Sequence, residues 1–465
     1  MLRLCQTKYP RHIAGDHIFR RYFMVWAGAL IVLITFAAIL KNLEARMVLI
    51  LSGAAMALIA GIAGVEGCFD GAMQAFISQL INESLVPTIC ACMGFSAVME
   101  YTKCSSNLVY LLTRPLQKVR FAVVPGAILI TWLINIVVMS AAGCAATVGT
   151  LLVPMMLGLG VHPATAAACI LIGTWGNVMN PGQSFNVQVG ELASMTGLEV
   201  VSSFTMVAVI ALAASIVLLT AIDITMVKKG NKQGAAYAAE PGSAVQAAAS
   251  QGASARHDSN PGGEPVKINY FKALIPATPI IFLLLGNAGV LPNFDITVWM
   301  LSCSVLGLLL DVRHVQDGVK QFFNGVGNSY RDIITLMAAA SVFTFGMNAV
   351  GLTGALVDVM KNSTAIARLG AGFGPFIIAA LSGSGNAAAI AFNTSITPHA
   401  ADLGYAVEAM GSVAQIAAAI GRSASPVAGV TIICAKMAGV SPMDVVKRSI
   451  LPMLAAVLIF MFMLM

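Results

Sequence analysis

GNVMNPG (176–182) lies inside one long apolar run of this chain, and GRSASPV (421–427) lies inside another. The two read as one motif written twice. Gly176 falls on Gly421 and Pro181 on Pro426, an offset of 245 residues (421 − 176). The register holds downstream. In VGELASMTGLEVVSS (189–203) against CAKMAGVSPMDVVKR (434–448), Ala193 meets Ala438, Leu198 meets Met443, Glu199 meets Asp444 and Val200 meets Val445. Proline and its polar neighbours interrupt a helix, and in lipid the freed backbone groups are tolerated only where protein or a cavity covers them. Matched interruptions in two halves of an apolar chain point to a transporter's substrate site.

Composition sets the class. The chain is 58% hydrophobic and 10% charged, with mean hydropathy +0.86; soluble domains carry about 25% charged residues. Tyr22–Leu40 has no charge for nineteen residues, close to the length that crosses a hydrocarbon core at ~1.5 Å per residue. The nine cysteines are scattered through apolar runs, without disulfide or zinc spacing. The net charge of +6 sits mostly in loops, where it reports orientation rather than a nucleic-acid surface. The expected fold class is all-α, a polytopic multi-pass membrane protein.

Ten spans and two re-entrant hairpins are expected. The first half supplies 24–40, 47–64, 84–100, 162–184 and 200–224; the second supplies 271–290, 296–311, 333–350, 405–427 and 449–465. An amphipathic stretch (103–118, 353–368) precedes each hairpin (121–159, 371–401). Loops 65–83, 185–199 and 291–295 hold no Lys or Arg, whereas 41–46, 101–120, 225–270, 312–332 and the last loop are basic; Lys361 and Arg368 are exceptions. With five spans per half, this asymmetry predicts two inverted five-helix repeats, basic side cytoplasmic. The repeats are 24–228 and 269–465. The segment 229–268, rich in Ala, Gly, Ser and Gln, reads as a flexible cytoplasmic linker. Residues 1–23 carry five basic residues on the side expected to be bare, and no cleavage site follows the first apolar run. They read as an upstream extension, with Met24 as the natural start.

The hairpin tips, SAAGCAAT (140–147) and SGSGNAAA (382–389), supply Ser140, Gly143, Thr147, Ser382, Ser384, Gly385 and Asn386 as candidate substrate contacts. The glycines free backbone groups for an anion or a cation. GSGNAA (383–388) also fits GxGxxA, but no strand precedes it, so a dinucleotide site is rejected. The breaks supply Asn177, Asn180, Ser184, Ser423 and Ser425, with Pro181, Gly182 and Pro426 as hinges. Arg422 reads as the only basic residue well inside an apolar helix: either it snorkels to the interface or it grips a carboxylate. No acidic residue lies at mid-span. No metal site or cofactor is called for. A coupling cation, H⁺ or Na⁺, would fall to His162 and His399 or to backbone and hydroxyl oxygens; each histidine neighbours a proline and reads as structural.

GSGNAAA (383–389), GRSASPVAGV (421–430) and VSPMDVVKRSILPML (440–454), with NLVYLLTRPLQKV (107–119) and ATPIIFLLL (277–285), closely resemble stretches of the DcuC family of anaerobic C4-dicarboxylate carriers. The similarity runs from about Met24 to the end. The family belongs to the ion-transporter superfamily, whose members are similar in having inverted five-helix repeats with two hairpins. The resemblance implies transport of fumarate, succinate or malate by symport, exchange or efflux, with a small dicarboxylate and the lipid bilayer as partners, no nucleic acid, and a homodimer by family analogy. The first-half site is a looser version of the family's stretches, and Trp175 is expected to bring bulk beside the cavity. A carrier of another small organic anion and a passive channel are the alternatives. An enzyme is not expected, since neither HExxH nor GxSxG occurs.

Overall fold

Two matched capping devices recur at the repeat's offset of 245 residues. In a computed structural model, which describes residues 14–41, 43–83, 85–113, 123–228, 269–292, 294–361 and 364–465, the Thr196 N–H donates to the Glu199 carboxylate (2.7 Å). The Glu199 N–H in turn donates to the Thr196 hydroxyl (3.3 Å). Their counterparts 245 residues on repeat the device: the Asp444 N–H donates to Ser441 Oγ (3.2 Å), and that hydroxyl donates to the Asp444 carboxylate (2.8 Å). Each box satisfies N–H groups that a helix start would otherwise leave open. The helices Gly197–Lys228 and Pro442–Leu464 begin there.

The described residues form helices and no strand. The first half runs α1 (Ala14–Leu40), α2 (Ala45–Ile62), α3 (Cys68–Leu80), α4 (Leu85–Tyr101) and α5 (Cys104–Thr113). A hairpin of α6 (Val123–Val137) and α7 (Ala141–Gly158) follows. Next comes a broken helix: α8 (Pro163–Gly173), a 3-10 turn (Gly176–Met179) and α9 (Ser184–Ala193), leading into α10 (Gly197–Lys228). The second half repeats the order. Short α11 (Tyr270–Leu274) leads into α12 (Thr278–Asn287), then α13 (Ile296–Leu309). Helix α14 (Val315–Ser329) passes through a π turn (Tyr330–Ile334) into α15 (Thr335–Ala349). After α16 (Leu352–Lys361) come the hairpin α17 (Thr364–Ser382) and α18 (Gly385–Ser395), the broken pair α19 (Val407–Arg422) and α20 (Gly429–Ala438), and α21 (Pro442–Leu464). Helices α9 and α20 begin 245 residues apart (429 − 184), and each is capped by a left-handed residue, Ser194 or Gly439.

Several expectations are corrected. The stretches 65–83 and 312–332, read as loops, contain α3 and α14. Both are amphipathic and polar on one side, so a search for membrane-length apolar runs passes over them. The broken helices also continue beyond their breaks, as α9 and α20, where loops were expected. Arg448, placed in the last loop, lies inside α21 and is only 7% exposed, so Arg422 is not alone. Among the described residues, six helical stretches are long and apolar enough to cross a membrane, or seven if the bent pair α3–α4 counts as one. Other expected spans are shorter apolar helices such as Ile296–Leu309, or come in pieces. The proposed linker and the first thirteen residues of the proposed extension lie outside the described residues. Arg368, one exception to the charge pattern, has an internal partner: its guanidinium donates to the Met465 carbonyl oxygen and lies 5.5 Å from the centre of the Phe462 ring.

The halves pack by exchange. Helix α2 packs on α15, and its counterpart α13 packs on α4; α3 packs on α15, and its counterpart α14 on α4. These contacts bury two flanking apolar clusters. The hairpins, the broken helices, α10 and α21 bury a third between them, centred on Trp132, Trp175, Phe204 and Phe460. Trp175 meets Trp132 and Phe460 edge to face, at 5.7 and 6.2 Å between ring centres. At each break a glycine lets the hairpin come close: a Cβ would lie 2.2 Å from the Trp132 carbonyl oxygen at Gly176 and 2.4 Å from that of Phe376 at Gly421.

Gly421→Ala should therefore force the hairpin off the break. Overpacking of this kind costs about 1–3 kcal/mol, so the purified protein should melt several degrees lower in detergent. Gly354→Ala, inside α16 with open space around the missing Cβ, should hold or slightly raise the midpoint, because alanine favours a helix more than glycine does. Equal midpoints for both variants would show that the close approach is not needed.

Candidate functional site

A cavity of about 630 Å³ lies where the hairpins meet the breaks. Four helices begin on it: α7 through Ala141 and Ala142, α18 through Gly385, Asn386 and Ala387, α20 through Gly429 and Val430, and α9 through its N-cap, Gln183. The serine before each hairpin's second arm makes the start possible. Ser140 Oγ accepts from the Gly143 N–H (3.1 Å), and Ser384 Oγ accepts from the Ala387 N–H (3.3 Å). Helices α9 and α20 have no side-chain cap, so their first N–H groups lack intrahelical partners and carry the positive end of the helix dipole.

Arg422, the last residue of α19, adds a full positive charge to the cavity wall. One of its nitrogens donates to the Thr174 carbonyl oxygen (2.9 Å); its Nε is buried without a hydrogen-bond partner among the described residues. The rest of the wall includes Glu44, Arg46, Met93, Asn328, Ser329 and Asp332. Its charges are cancelled locally. Arg46 pairs with Glu44 and donates to the Arg331 carbonyl oxygen (2.6 Å), and Arg331 makes two 2.8 Å bonds to Asp332. A small anion would thus find donors, dipole ends and a guanidinium, the groups that bind carboxylates.

Of the expected residues, Ser140, Asn177, Ser382, Ser384, Gly385, Asn386 and Arg422 line the cavity. Gly143, Thr147, Asn180, Ser184, Ser423 and Ser425 do not. The first tip turns at 138–140 rather than over 140–147, which puts Gly143 and Thr147 inside α7; the Thr147 hydroxyl donates to the Gly143 carbonyl oxygen (2.9 Å). Asn180 braces the first hairpin instead, donating to the Ile136 carbonyl oxygen (2.8 Å) and accepting from the Gly182 N–H (2.8 Å). Asn177 does both, lining the cavity and donating to the Met139 carbonyl oxygen (3.3 Å). Ser423 faces Thr174 (3.4 Å), and its carbonyl oxygen accepts from Ser449 (3.3 Å). The hydroxyls of Ser184 and Ser425 are buried without a described partner. Of the expected hinges, Pro181 and Pro426 lie in the breaks, and Gly182 is wedged against Cys92.

Trp175 does not reach the cavity. It is fully buried behind the break, between Trp132 and Phe460. His162 caps α8, accepting from the Ala164 N–H (3.2 Å), and His399 sits 3.8 Å from Asp402. Sequence reasoning missed Gln183, although it stands between the flagged Gly182 and Ser184. It also missed Asn135, whose Oδ1 accepts from the Asn177 N–H (2.9 Å) while its amide donates to the Val138 carbonyl oxygen (2.8 Å). An asparagine in the apolar run 123–137 was the available signal.

Comparison with known proteins points to a carrier family. Residues 25–465 match the family described as C4-dicarboxylate anaerobic carrier. The chain is 36% identical over 288 residues to an uncharacterized transporter of Haemophilus influenzae, covering 60% of this chain and 98% of that protein. It is 25% identical over 384 residues to the anaerobic C4-dicarboxylate transporter DcuC of Escherichia coli, covering 79% of this chain and 77% of that one. With its apolar helices, the protein is a multi-pass carrier of the bacterial inner membrane and not an enzyme. The chain belongs to the C4-dicarboxylate anaerobic carrier family.

Proposed function

We propose that the cavity is the substrate site of a secondary active transporter for C4-dicarboxylates such as fumarate, succinate and malate. One observation carries the reading: four helix N-termini and Arg422 face one cavity whose other charges cancel. A dianion needs two centres of positive potential, and dipole ends supply this without a counter-charge that would trap the product. In this reading Arg422 grips one carboxylate in two-point fashion and the N-termini of α7 and α18 hold the other. The inverted repeats then alternate access to the cavity, with the basic loops cytoplasmic.

A coupling cation, H⁺ or Na⁺, belongs to the same proposal. The buried oxygens Asn177 Oδ1, Ser184 Oγ and Ser425 Oγ, all without described partners, favour Na⁺, a hard cation served by oxygen ligands. A homodimer is proposed on family analogy. The volume of about 630 Å³ also favours a second reading, a larger organic anion.

The deciding experiment is uptake of labelled succinate and fumarate into proteoliposomes, with Na⁺ and pH gradients imposed separately. The reading expects saturable uptake driven by one of the gradients. Uptake that rises linearly with concentration, or competition only by larger anions, would discard it.

Three predictions follow the proposed roles. Alkaline phosphatase fused after Met465 should be active and at Gln251 inactive; the reverse pattern refutes the inverted arrangement. Asn386, half-buried on the cavity wall, should be needed for transport but not for folding. Asn386→Ala should abolish uptake at normal membrane abundance, and unchanged kinetics would make the tip purely structural. Arg422→Lys keeps the charge and loses the planar grip. A weakened charge-assisted contact costs on the order of 1.5–3 kcal/mol, so apparent affinity should fall roughly ten- to a hundred-fold. A wild-type half-saturation constant in that variant would remove Arg422 from the site.

A further inference from the structure

The first break is tied to α19 of the second repeat by side chains that neither line the cavity nor carry charge. Asn186 and Gln415 are both fully buried. Asn186, in α9, donates through its single amide nitrogen to the carbonyl oxygens of Val178 (2.7 Å) and Asn180 (2.8 Å). In a continuous helix those carbonyls would accept from the N–H groups of residues 182 and 184. The break removes that ladder; the Gly182 N–H goes to Asn180 Oδ1 instead (2.8 Å). Asn186 therefore supplies the bond that the Val178 carbonyl loses at the break and adds a second to the Asn180 carbonyl, which also accepts from the Gln183 N–H (3.0 Å).

The other end of the amide reaches the second repeat. Asn186 Oδ1 accepts from Gln415 Nε2 at 2.7 Å. Gln415 lies on α19 seven residues before Arg422, two helical turns, so both side chains leave the same face of that helix. Arg422 donates to the Thr174 carbonyl oxygen (2.9 Å), just ahead of the same break. One face of α19 is thus pinned to the first repeat's break at two levels. The lower pin is neutral and wholly desolvated, where an unmade hydrogen bond is costly.

We infer that Asn186 and Gln415 form a positioning pair: the Gln415–Asn186 bridge fixes where α19 stands over the first break, and so where Arg422 meets a substrate carboxylate. The pair touches no substrate. Its transport consequence rests on the proposed dicarboxylate site; its effect on the break does not.

The test uses the full-length carrier in proteoliposomes and in detergent. Gln415→Met keeps an unbranched side chain of similar length and deletes the donor. The preference for succinate over its monoamide, measured as the ratio of half-saturation constants, should fall about ten-fold, the size of one displaced charge-assisted contact. In an Arg422→Ala background the same change should add nothing, because the contact it positions is gone. The exchanged pair Asn186→Gln with Gln415→Asn should recover the preference. Hydrogen exchange of the backbone at 174–182 should quicken in Gln415→Met with no substrate present. A lowered maximal rate with unchanged preference, additive losses in the Arg422→Ala background, or wild-type exchange at 174–182 would each overturn the proposal. So would absence of folded protein in both Gln415→Met and the exchanged pair, which would assign the bridge to folding. If the wild type moves no dicarboxylate, the substrate reading fails, and the exchange comparison still decides the bridge.

Discussion

A broken helix in an apolar chain must dispose of every backbone group that its break sets free. Here the two sides of the break are treated differently. The carbonyl oxygens on the first break are taken up inside the protein by Asn186, and the neighbouring hairpin end is taken up by Asn135, Asn177 and Asn180. The N–H groups that open α9 and α20 receive no side chain. Buried amides thus serve the break's carbonyl oxygens and two of its N–H groups, those of Asn177 and Gly182, while the N–H groups opening α9 and α20 face the cavity. That cluster of uncapped donors beside an arginine suits the cavity to an anion.

The same constraint organises the rest of the molecule. A break held by neighbouring backbone needs that backbone close, and Gly176 and Gly421 allow it by leaving no Cβ against Trp132 and Phe376. The hairpins, the breaks, α10 and α21 then share one apolar cluster, while α2 with α15 and α4 with α13 build the two that flank it. Cavity walls come from both kinds of body: the hairpin tips and Arg422 from the first, Glu44, Met93, Asn328 and Asp332 from the second. The two bodies also touch, since Ala387 and Ile390 of α18 pack in the cluster of α2 and α15, and alternating access would have these contacts slide as one body shifts against the other.

Much of this was legible in the sequence because it repeats. The offset that aligned Glu199 with Asp444 also aligned two capping boxes, two half-helices and two left-handed caps. Seven of the expected contact residues reach the cavity because the serine caps and glycines that mark a tip are local signals. What was not legible depends on contacts between distant parts of the chain. Helices α3 and α14 bury only one face, so neither gave a membrane-length apolar run. Asn180 and Ser423 were assigned to substrate but face protein, because a polar residue at a break has two competing uses and spacing does not choose between them. Trp175 looked like a cavity residue from its place beside Gly176, yet the 3-10 turn directs it into the core. Gln415 gave no signal without its partner 229 positions away (415 − 186).

The most direct measurement of the central claim is a cryo-electron microscopy map of the purified carrier saturated with fumarate or succinate. The account predicts dicarboxylate density in the cavity, with one carboxylate against Arg422 and the other at the first N–H groups of α7 and α18. A transport-competent sample whose bound dicarboxylate lies elsewhere, with the N-termini of α7, α9, α18 and α20 empty, would contradict it.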